Sequence, residues 1–458
     1  MVIASKLTHQ PFEVLPNELL AEICVHWADI DEDAAWMAAS INRRWRLVVL
    51  SSPAVWSRVW IHFRQPVEQE DENWCIEEDV DQVHGVPRPL PLWLQRSGKE
   101  PIHLSIVTEA IPPTAEELNN LVFMLIPFVA RLEVVTLSTE SSLIAESLLD
   151  MLWAHAPMLN HLSIICRRMR GVLQAREKGT IDTLWVALHR ARSIKSLTCE
   201  GCIPPKLDDS IPHTGLTQLI VQDFSGEMVQ FLDALESCQD LEELSVLKCQ
   251  FPNMGVLGAP NRVVVLQKVS TVQMQGVSSP QMLEHLRTPK LRSLDLQSVF
   301  SLTDLTVTLD IGGMKAVSTE MREFADVLAK FLGYGNQLYD LHMEWSSIPD
   351  KSFIQILAVC PNLRHLHLQE SFVSRKLMAG LARRVEGTKD PILCPMLEGV
   401  ILIACSLLSG QSLIELIRSR NTGPVRIRYL TIKNCELVSS DNIATLRSID
   451  NALRVDYH

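Results

Sequence analysis

The sequence predicts an α/β chain in which three short helices precede a long array of repeated strand–helix units. Three observations lead there. The chain has 458 residues, too many for one ordinary globular core. A short pattern of leucines returns at a fixed interval through its second half. Before residue 63, apolar stripes follow one another at helical spacing, cut off from the rest by an acidic stretch.

Composition narrows the class. Hydrophobic residues make up 47% and charged residues 21%, which suits a large buried core and not a disordered chain. The formal net charge of −12 argues against a nucleic-acid ligand, which calls for clustered Lys and Arg. Eleven cysteines are scattered without a regular framework. No Asn-x-Ser/Thr site occurs, and the first fifteen residues, MVIASKLTHQPFEVL, lack the basic start and apolar run of a signal peptide. A reducing compartment, cytoplasmic or nuclear, with buried thiols is expected. The longest apolar run, 121–130, contains a proline and is about half the ~20 residues of a spanning helix, so no membrane segment is expected.

Leu15, Leu19, Leu20, Ile23 and Trp27 fall on one helical face, and Pro16 suits a first turn, where its missing N–H costs nothing. The stretch DIDED at 29–33 breaks the pattern, and Asp31 or Asp33 can cap a second helix. Ala34, Ala38, Ile41, Trp45 and Val48 predict that helix, with a one-sided apolar stripe. Ser51-Ser52-Pro53 ends it and opens a third short helix with Val55, Trp56, Val59 and Trp60. This unit, residues 12–63, carries more apolar surface than about 45 residues hide by themselves, which implies a partner. Residues 64–90 hold eight acids between Glu68 and Asp81, flanked by four prolines, and read as a solvated linker.

Residues 91–458 carry the repeat. Leu216, Leu219 and Val221 set a Leu-x-x-Leu-x-apolar template. It returns at Leu241, Leu244 and Val246, in a degraded copy at Leu266, Val269 and Thr271, and at Leu291, Leu294 and Leu296, each start 25 residues after the last. Leu338, Leu341, Met343 and Leu363, Leu366, Leu368 form another pair 25 apart. Looser copies start at Leu132, Leu159, Ile194, Leu397 and Ile427. A misregistered copy is expected at 302–307 and a loop at Gly312-Gly313. Helical patterns fill the intervals, as in GEMVQFLDALESC, MREFADVLAKFLGYGNQ and KSFIQILAVCPN. Strand, loop and helix at this period read as an irregular leucine-rich repeat solenoid, parallel strands on its concave face and helices outside. Cys249, Cys405 and Cys435 follow repeat strands, where such repeats place a buried Asn or Cys that bonds loop backbone.

Residues 15–60 resemble an F-box. The likeness rests on Leu15-Pro16-x-Glu18-Leu19-Leu20-x-x-Ile23, then Ile41-Asn42-Arg43-Arg44-Trp45-Arg46, then Ser52-Pro53-Ala54-Val55-Trp56. The stretch Pro91-Leu92-Trp93-Leu94-Gln95-Arg96-Ser97-Gly98, with Pro101-Ile102-His103-Leu104 behind it, is similar to a junction common in F-box proteins of mushroom-forming fungi, which carry irregular leucine-rich repeats after it. The pattern departs at residues 27–33, where Leu-x-x-x-Asp-Leu is usual, and at Ile41 and Asn42, where Val and Cys are common. The resemblance implies docking on the adaptor Skp1 and, through it, a cullin ubiquitin ligase, with the repeats holding a protein substrate. Leu15, Pro16, Leu19, Leu20, Ile23, Trp45, Val48 and Trp56 are the expected Skp1 surface or its immediate support, and the same eight residues also suit the core of a small helical unit. By residue type, Trp45 and Trp56 are the favoured anchors.

No catalytic site emerges. Asp29-x-Asp31-x-Asp33 begins like a calcium loop but has Ala34 and Ser40 where Gly and Glu belong. Cys199-Glu200-Gly201-Cys202 lacks a second ligand pair and predicts a buried thiol and a turn. No nucleophile elbow or phosphate loop occurs. Neither a metal nor a cofactor is expected. His365 and His367 share one face of a strand and, with His342 and Glu344, are the expected substrate contacts. The alternative is a non-catalytic repeat scaffold whose F-box is degenerate or serves Skp1 without ubiquitin transfer.

Overall fold

The computed structural model describes residues 15–63, 90–108, 113–139, 145, 148–149, 156–166, 193–203, 215–251, 262–277, 280–298, 311–335, 337–344, 348–388, 391–423, 425–450 and 452–457. The expected linker, apart from Leu90, and the copy expected at 302–307 lie outside them. The chain divides into two units, Met1–Leu197 and Thr198–His458.

The first unit opens with α1 (Asn17–Ala28), α2 (Ala34–Ile41) and α3 (Arg43–Ser51). The apolar stripe from Ala34 to Val48 was expected to be one helix; Asn42 splits it. This residue is extended (φ −162°, ψ 177°), and its side chain accepts from the Trp45 N–H as the cap of α3. Ile41 thereby leaves the stripe and is 51% exposed. Asp33 stands at the start of α2 without a side-chain cap bond, and Asp31 Oδ1 accepts from the Asp33 N–H. The third expected helix is only a 3-10 turn, Pro53–Ser57, running straight into β1 (Arg58–Phe63). There Val59, Ile61 and Phe63 alternate inward, a period of two that overrides the Trp56–Trp60 spacing.

Behind β1 come α4 (Leu90–Arg96), β2 (Ile102–Thr108), α5 (Ala115–Leu125), β3 (Leu132–Thr139) and β4 (His161–Cys166), the four strands paired in parallel in that order. A reciprocal Thr114–Glu117 capping box starts α5. The division between units falls inside β5 (Ser196–Glu200).

In the second unit the repeat becomes a ladder. The main strands are β6 (Gln218–Gln222), β7 (Glu243–Leu247), β9 (Thr271–Gln275), β11 (Ser293–Gln297), β12 (Asp340–Glu344), β13 (His365–Gln369), β14 (Gly399–Ile403), β15 (Tyr429–Lys433) and β16 (Arg454–Tyr457). They pair in parallel in sequence order, while two-residue β8 (Val264–Val265) and β10 (Leu286–Arg287) pair separately. Between them run α6 (Met228–Glu236), α7 (Ile311–Gly333), α8 (Asp350–Ala358), α9 (Arg375–Ala382), α10 (Gly410–Arg420) and α11 (Ser440–Ile449). The architecture is a mixed α/β, long-parallel-sheet arrangement like a leucine-rich repeat solenoid. Helix α7 covers Gly312 and Gly313, where a loop was expected. The degraded copy is also shifted by three residues: Val269, Val272 and Met274 are the buried set and Thr271 faces outward.

One backbone device recurs. The residues that follow β6, β7, β9, β11, β13, β14 and β15 are Asp223, Lys248, Gly276, Ser298, Glu370, Ala404 and Asn434, all left-handed with φ between 46° and 59°. At Asp223, Lys248, Gly276, Glu370 and Ala404 the turn aims the N–H at a carbonyl of the next repeat, as from Glu370 to Ile403 and from Ala404 to Lys433, both 2.8 Å. The next inward position is often cysteine. The Cys249, Cys405 and Cys435 thiols donate to Val221, Leu368 and Leu402 carbonyls at 3.5, 3.5 and 3.7 Å. All ten described cysteines are buried thiols. A Cβ in the left-handed region is strained, so Ala404→Gly is expected to stabilise the protein by about 0.5–1 kcal/mol in urea unfolding. Among the described residues no helix is long and apolar enough to cross a membrane.

Candidate functional site

The helical unit has an inner and an outer apolar set. Leu20, Cys24 and Ala28 of α1 are buried; beside them Leu19 and Ile23 are 45% and 39% exposed. On α2, Ala34, Ala35 and Ala38 point in, while Met37 and Ile41 stay exposed. On α3, Trp45, Val48 and Val49 point in, while Leu47 and Leu50 stay exposed at 60% and 45%. Each helix thus carries an outward apolar pair three or four residues apart, the spacing that places side chains together.

Of the eight residues that the resemblance assigns to Skp1 docking, Leu20, Trp45, Val48 and Trp56 lie in the core. Leu15 is half-buried, and Pro16, Leu19 and Ile23 are exposed. Trp56, favoured as an anchor by residue type, is fully buried. Its Nε1 donates to the Val49 carbonyl at 2.8 Å, its ring meets Trp36 edge-on at 5.1 Å, and Arg96 lies 4.5 Å over it. Met37, Leu47 and Leu50 were missed; the available signal was the second apolar pair beside each buried stripe.

The stretch that departs from the family pattern has a local task. Asp29 pairs with Arg58, Glu32 Oε2 lies 2.8 Å from His62 Nε2, and the Ala28 carbonyl accepts from Trp60 Nε1 at 3.1 Å. Arg58, Trp60 and His62 are the outward residues of β1, so this loop fastens the helices to the first strand. At the other end Arg44 donates to the Leu15 carbonyl and, from Nε at 3.1 Å, to Asn17 Oδ1, tying α3 to the head of α1.

On the second unit the strand register gathers all four expected substrate contacts. His342 lies opposite His367, Asp340 opposite His365 and Glu344 opposite Gln369, while Asp295 lies opposite His342 on the other side. His365 Nδ1 meets Asp340 Oδ1 at 2.6 Å, and Gln369 Nε2 donates to Glu344 Oε1 at 2.9 Å. His342 Nδ1 is 2.8 Å from Asp295 Oδ1, close enough for an ion pair, though that oxygen accepts no well-aimed hydrogen bond. The His342 and His367 rings stack face to face, 3.9 Å apart and 5° from parallel.

Stacked imidazoles repel if both are charged. Burial, then His342, pushes His367 down to about 4 against the opposing pull of Asp295. Its unfolded value is 6.5, so between these values the unfolded chain holds a proton that the folded ring refuses. Stability is therefore expected to fall as pH drops from 6.5 towards 4, by about 1–2 kcal/mol after solvent screening. His367→Gln is expected to remove that slope, measured as urea unfolding at both pH values. Among the described residues no group of three His, Cys, Asp or Glu side chains could hold a metal ion.

No known family profile matches the sequence, and no curated protein matches it. Among solved structures the chain is similar to TLR13 in "Crystal structure of TLR13-ssRNA13 complex" at 11% identity and a TM-score of 0.39, over 69% of this chain. The match spans 41% of the TLR13 chain.

Proposed function

We propose that the chain is a substrate-recruiting adaptor of a Skp1–cullin–F-box ubiquitin ligase, acting in the cytoplasm or nucleus without catalytic chemistry or a cofactor of its own. The observation that carries this reading is the outward apolar set of Leu19, Ile23, Leu47 and Leu50 on helices whose motif order resembles an F-box. Large apolar side chains held clear of a well-filled core favour a partner's helices. Behind them, a repeat architecture supports a protein-binding scaffold. Within the adaptor reading, Skp1 covers the helices and links the chain to a cullin, and the repeats hold the protein to be modified.

Co-expression of the full chain with a fungal Skp1, followed by size-exclusion chromatography, tests it. The variant Leu19→Asp with Leu47→Asp alters exposed residues only and is expected to keep its melting temperature but lose co-elution. A folded wild type that elutes without Skp1 overturns the adaptor reading and leaves the second one, a repeat scaffold with a degenerate F-box.

A further inference from the structure

Six adjacent strands, β6, β7, β9, β11, β12 and β13, present an open face with one kind of chemistry. Their inward residues are apolar and buried; of the eighteen alternate outward residues none is buried. Those eighteen include four carboxylates, three histidines and six glutamines, and no Lys or Arg at all. The carboxylates are Glu243, Asp295, Asp340 and Glu344. Arg292 and Arg364 stand one residue ahead of β11 and β13, at the rim, where Arg364 lies 5.3 Å over the Tyr339 ring.

Four carboxylates face three histidines, and one of the three rings carries no compensating charge at neutral pH. His367 is held neutral by burial and by the stacked His342 ring. Three of the acids accept from amide side chains, Glu243 from Gln218 at 2.8 Å, Asp295 from Gln297 at 2.9 Å and Glu344 from Gln369 at 2.9 Å, while Asp340 meets His365 and Asp295 also lies beside His342. The amide donors are neutral, so they orient Glu243, Asp295 and Glu344 without adding positive charge to the face. A phosphate backbone would be repelled here. A cationic side chain would gain a charge-assisted bond, and the glutamine amides can both donate to and accept from a peptide backbone. At about 4.8 Å between strands the six span roughly 24 Å, the length of about seven residues of extended chain.

We propose that this face docks an extended, lysine- and arginine-bearing segment of a protein. The inference rests on reading the repeats as a protein-binding scaffold and is independent of Skp1. Its test is fluorescence anisotropy of the full chain with a short labelled peptide alternating Lys and Ser, beside a matched peptide with Glu for Lys. The wild type is expected to bind the Lys peptide alone, more weakly as salt is raised. Joint Asp295→Asn, Asp340→Asn and Glu344→Gln substitution is expected to weaken it about tenfold. Joint Glu415→Gln, Glu436→Gln and Asp441→Asn substitution, on exposed residues off this face, is expected to leave it unchanged. If the first set melts early, exposed Glu243→Gln replaces it, with an expected loss of about two- to threefold. The inference is overturned if the wild type fails to bind, if the Glu peptide binds equally, or if the two substitution sets weaken binding alike. Leu19→Asp with Leu47→Asp should keep peptide binding, so failure of the strand face and failure of the Skp1 reading are separable.

Discussion

Replacing Trp56 with alanine is expected to destabilise the helical end of the first unit by about 3–5 kcal/mol, the range for emptying a buried aromatic site. The ring is fully buried and touches three kinds of neighbour: the edge-on Trp36, the tilted Trp93 at 6.5 Å and the Arg96 guanidinium above it. Trp36 and Trp93 would line the vacated space and cannot both close on it. Trp56→Phe keeps most of the volume and loses the bond from Nε1 to the Val49 carbonyl. That oxygen also accepts from the Ser52 N–H, so the cost should be nearer 1–2 kcal/mol. Hydrogen exchange read by mass spectrometry localises the effect: protection in α1, α2 and α3 should collapse in Trp56→Ala and persist in Trp56→Phe. Skp1 co-elution would also be lost in Trp56→Ala, but through unfolding. This is why exposed Leu19 and Leu47, and not the tryptophans, test docking. An alanine variant with undiminished protection would show that the aromatic cluster does not hold the helices.

Much of this arrangement was legible because a strand buries every second residue. Leu216, Leu219 and Val221 written as a template place β6 directly, and the same phase places β7, β11, β12, β13, β14 and β15. Where the sequence misled, a local effect beat the pattern. Leu266 and Val269 are both buried, so apolarity alone cannot say which opens the repeat; the pairing of β9 with β7 and β11 decides for Val269. Asn42 falls within the span that the apolar stripe marks as one helix, but an asparagine side chain can also cap the N–H three residues on. Trp56 and Trp60 fit a helical face, yet Val59, Ile61 and Phe63 already spelled out a strand. At the strand face His365 and His367 were recognisable from spacing, but Asp295 and Asp340 belong to other repeats, and only register brings them opposite. Burial of a stripe residue versus its outward neighbour, Leu20 against Leu19, depends on which helices pack, which no single helix encodes.

The second large effect is expected at Arg420, whose side chain is 1% exposed. Its Nε, Nη1 and Nη2 donate to the Leu381, Cys394 and Leu393 carbonyls at 2.9, 2.9 and 2.6 Å. These oxygens belong to the last turn of α9 and to the segment ahead of β14, where Cys394 has a left-handed φ of 43°. A guanidinium suits this position because its planar fork reaches three acceptors at once. Burial, the largest cause, and the nearby Arg384 draw its pKa down to about 10 against the opposing influence of Cys394. It therefore stays charged at neutral pH, with carbonyl dipoles around it. Arg420→Met fills similar volume and offers no donor, leaving the Leu381 and Leu393 carbonyls short of a partner while that of Cys394 keeps the Leu397 N–H, at a cost of about 3–5 kcal/mol. Arg420→Lys keeps the charge on a single nitrogen that cannot span the three oxygens, and should recover less than half of that loss. Urea unfolding with hydrogen exchange across residues 375–420 reads both variants. Loss of protection confined to α9 and α10 is expected, and equal stability of wild type and Arg420→Met would mean that the freed carbonyls find water instead. The same variant should leave Skp1 co-elution intact, because the helical unit shares no residue with this network.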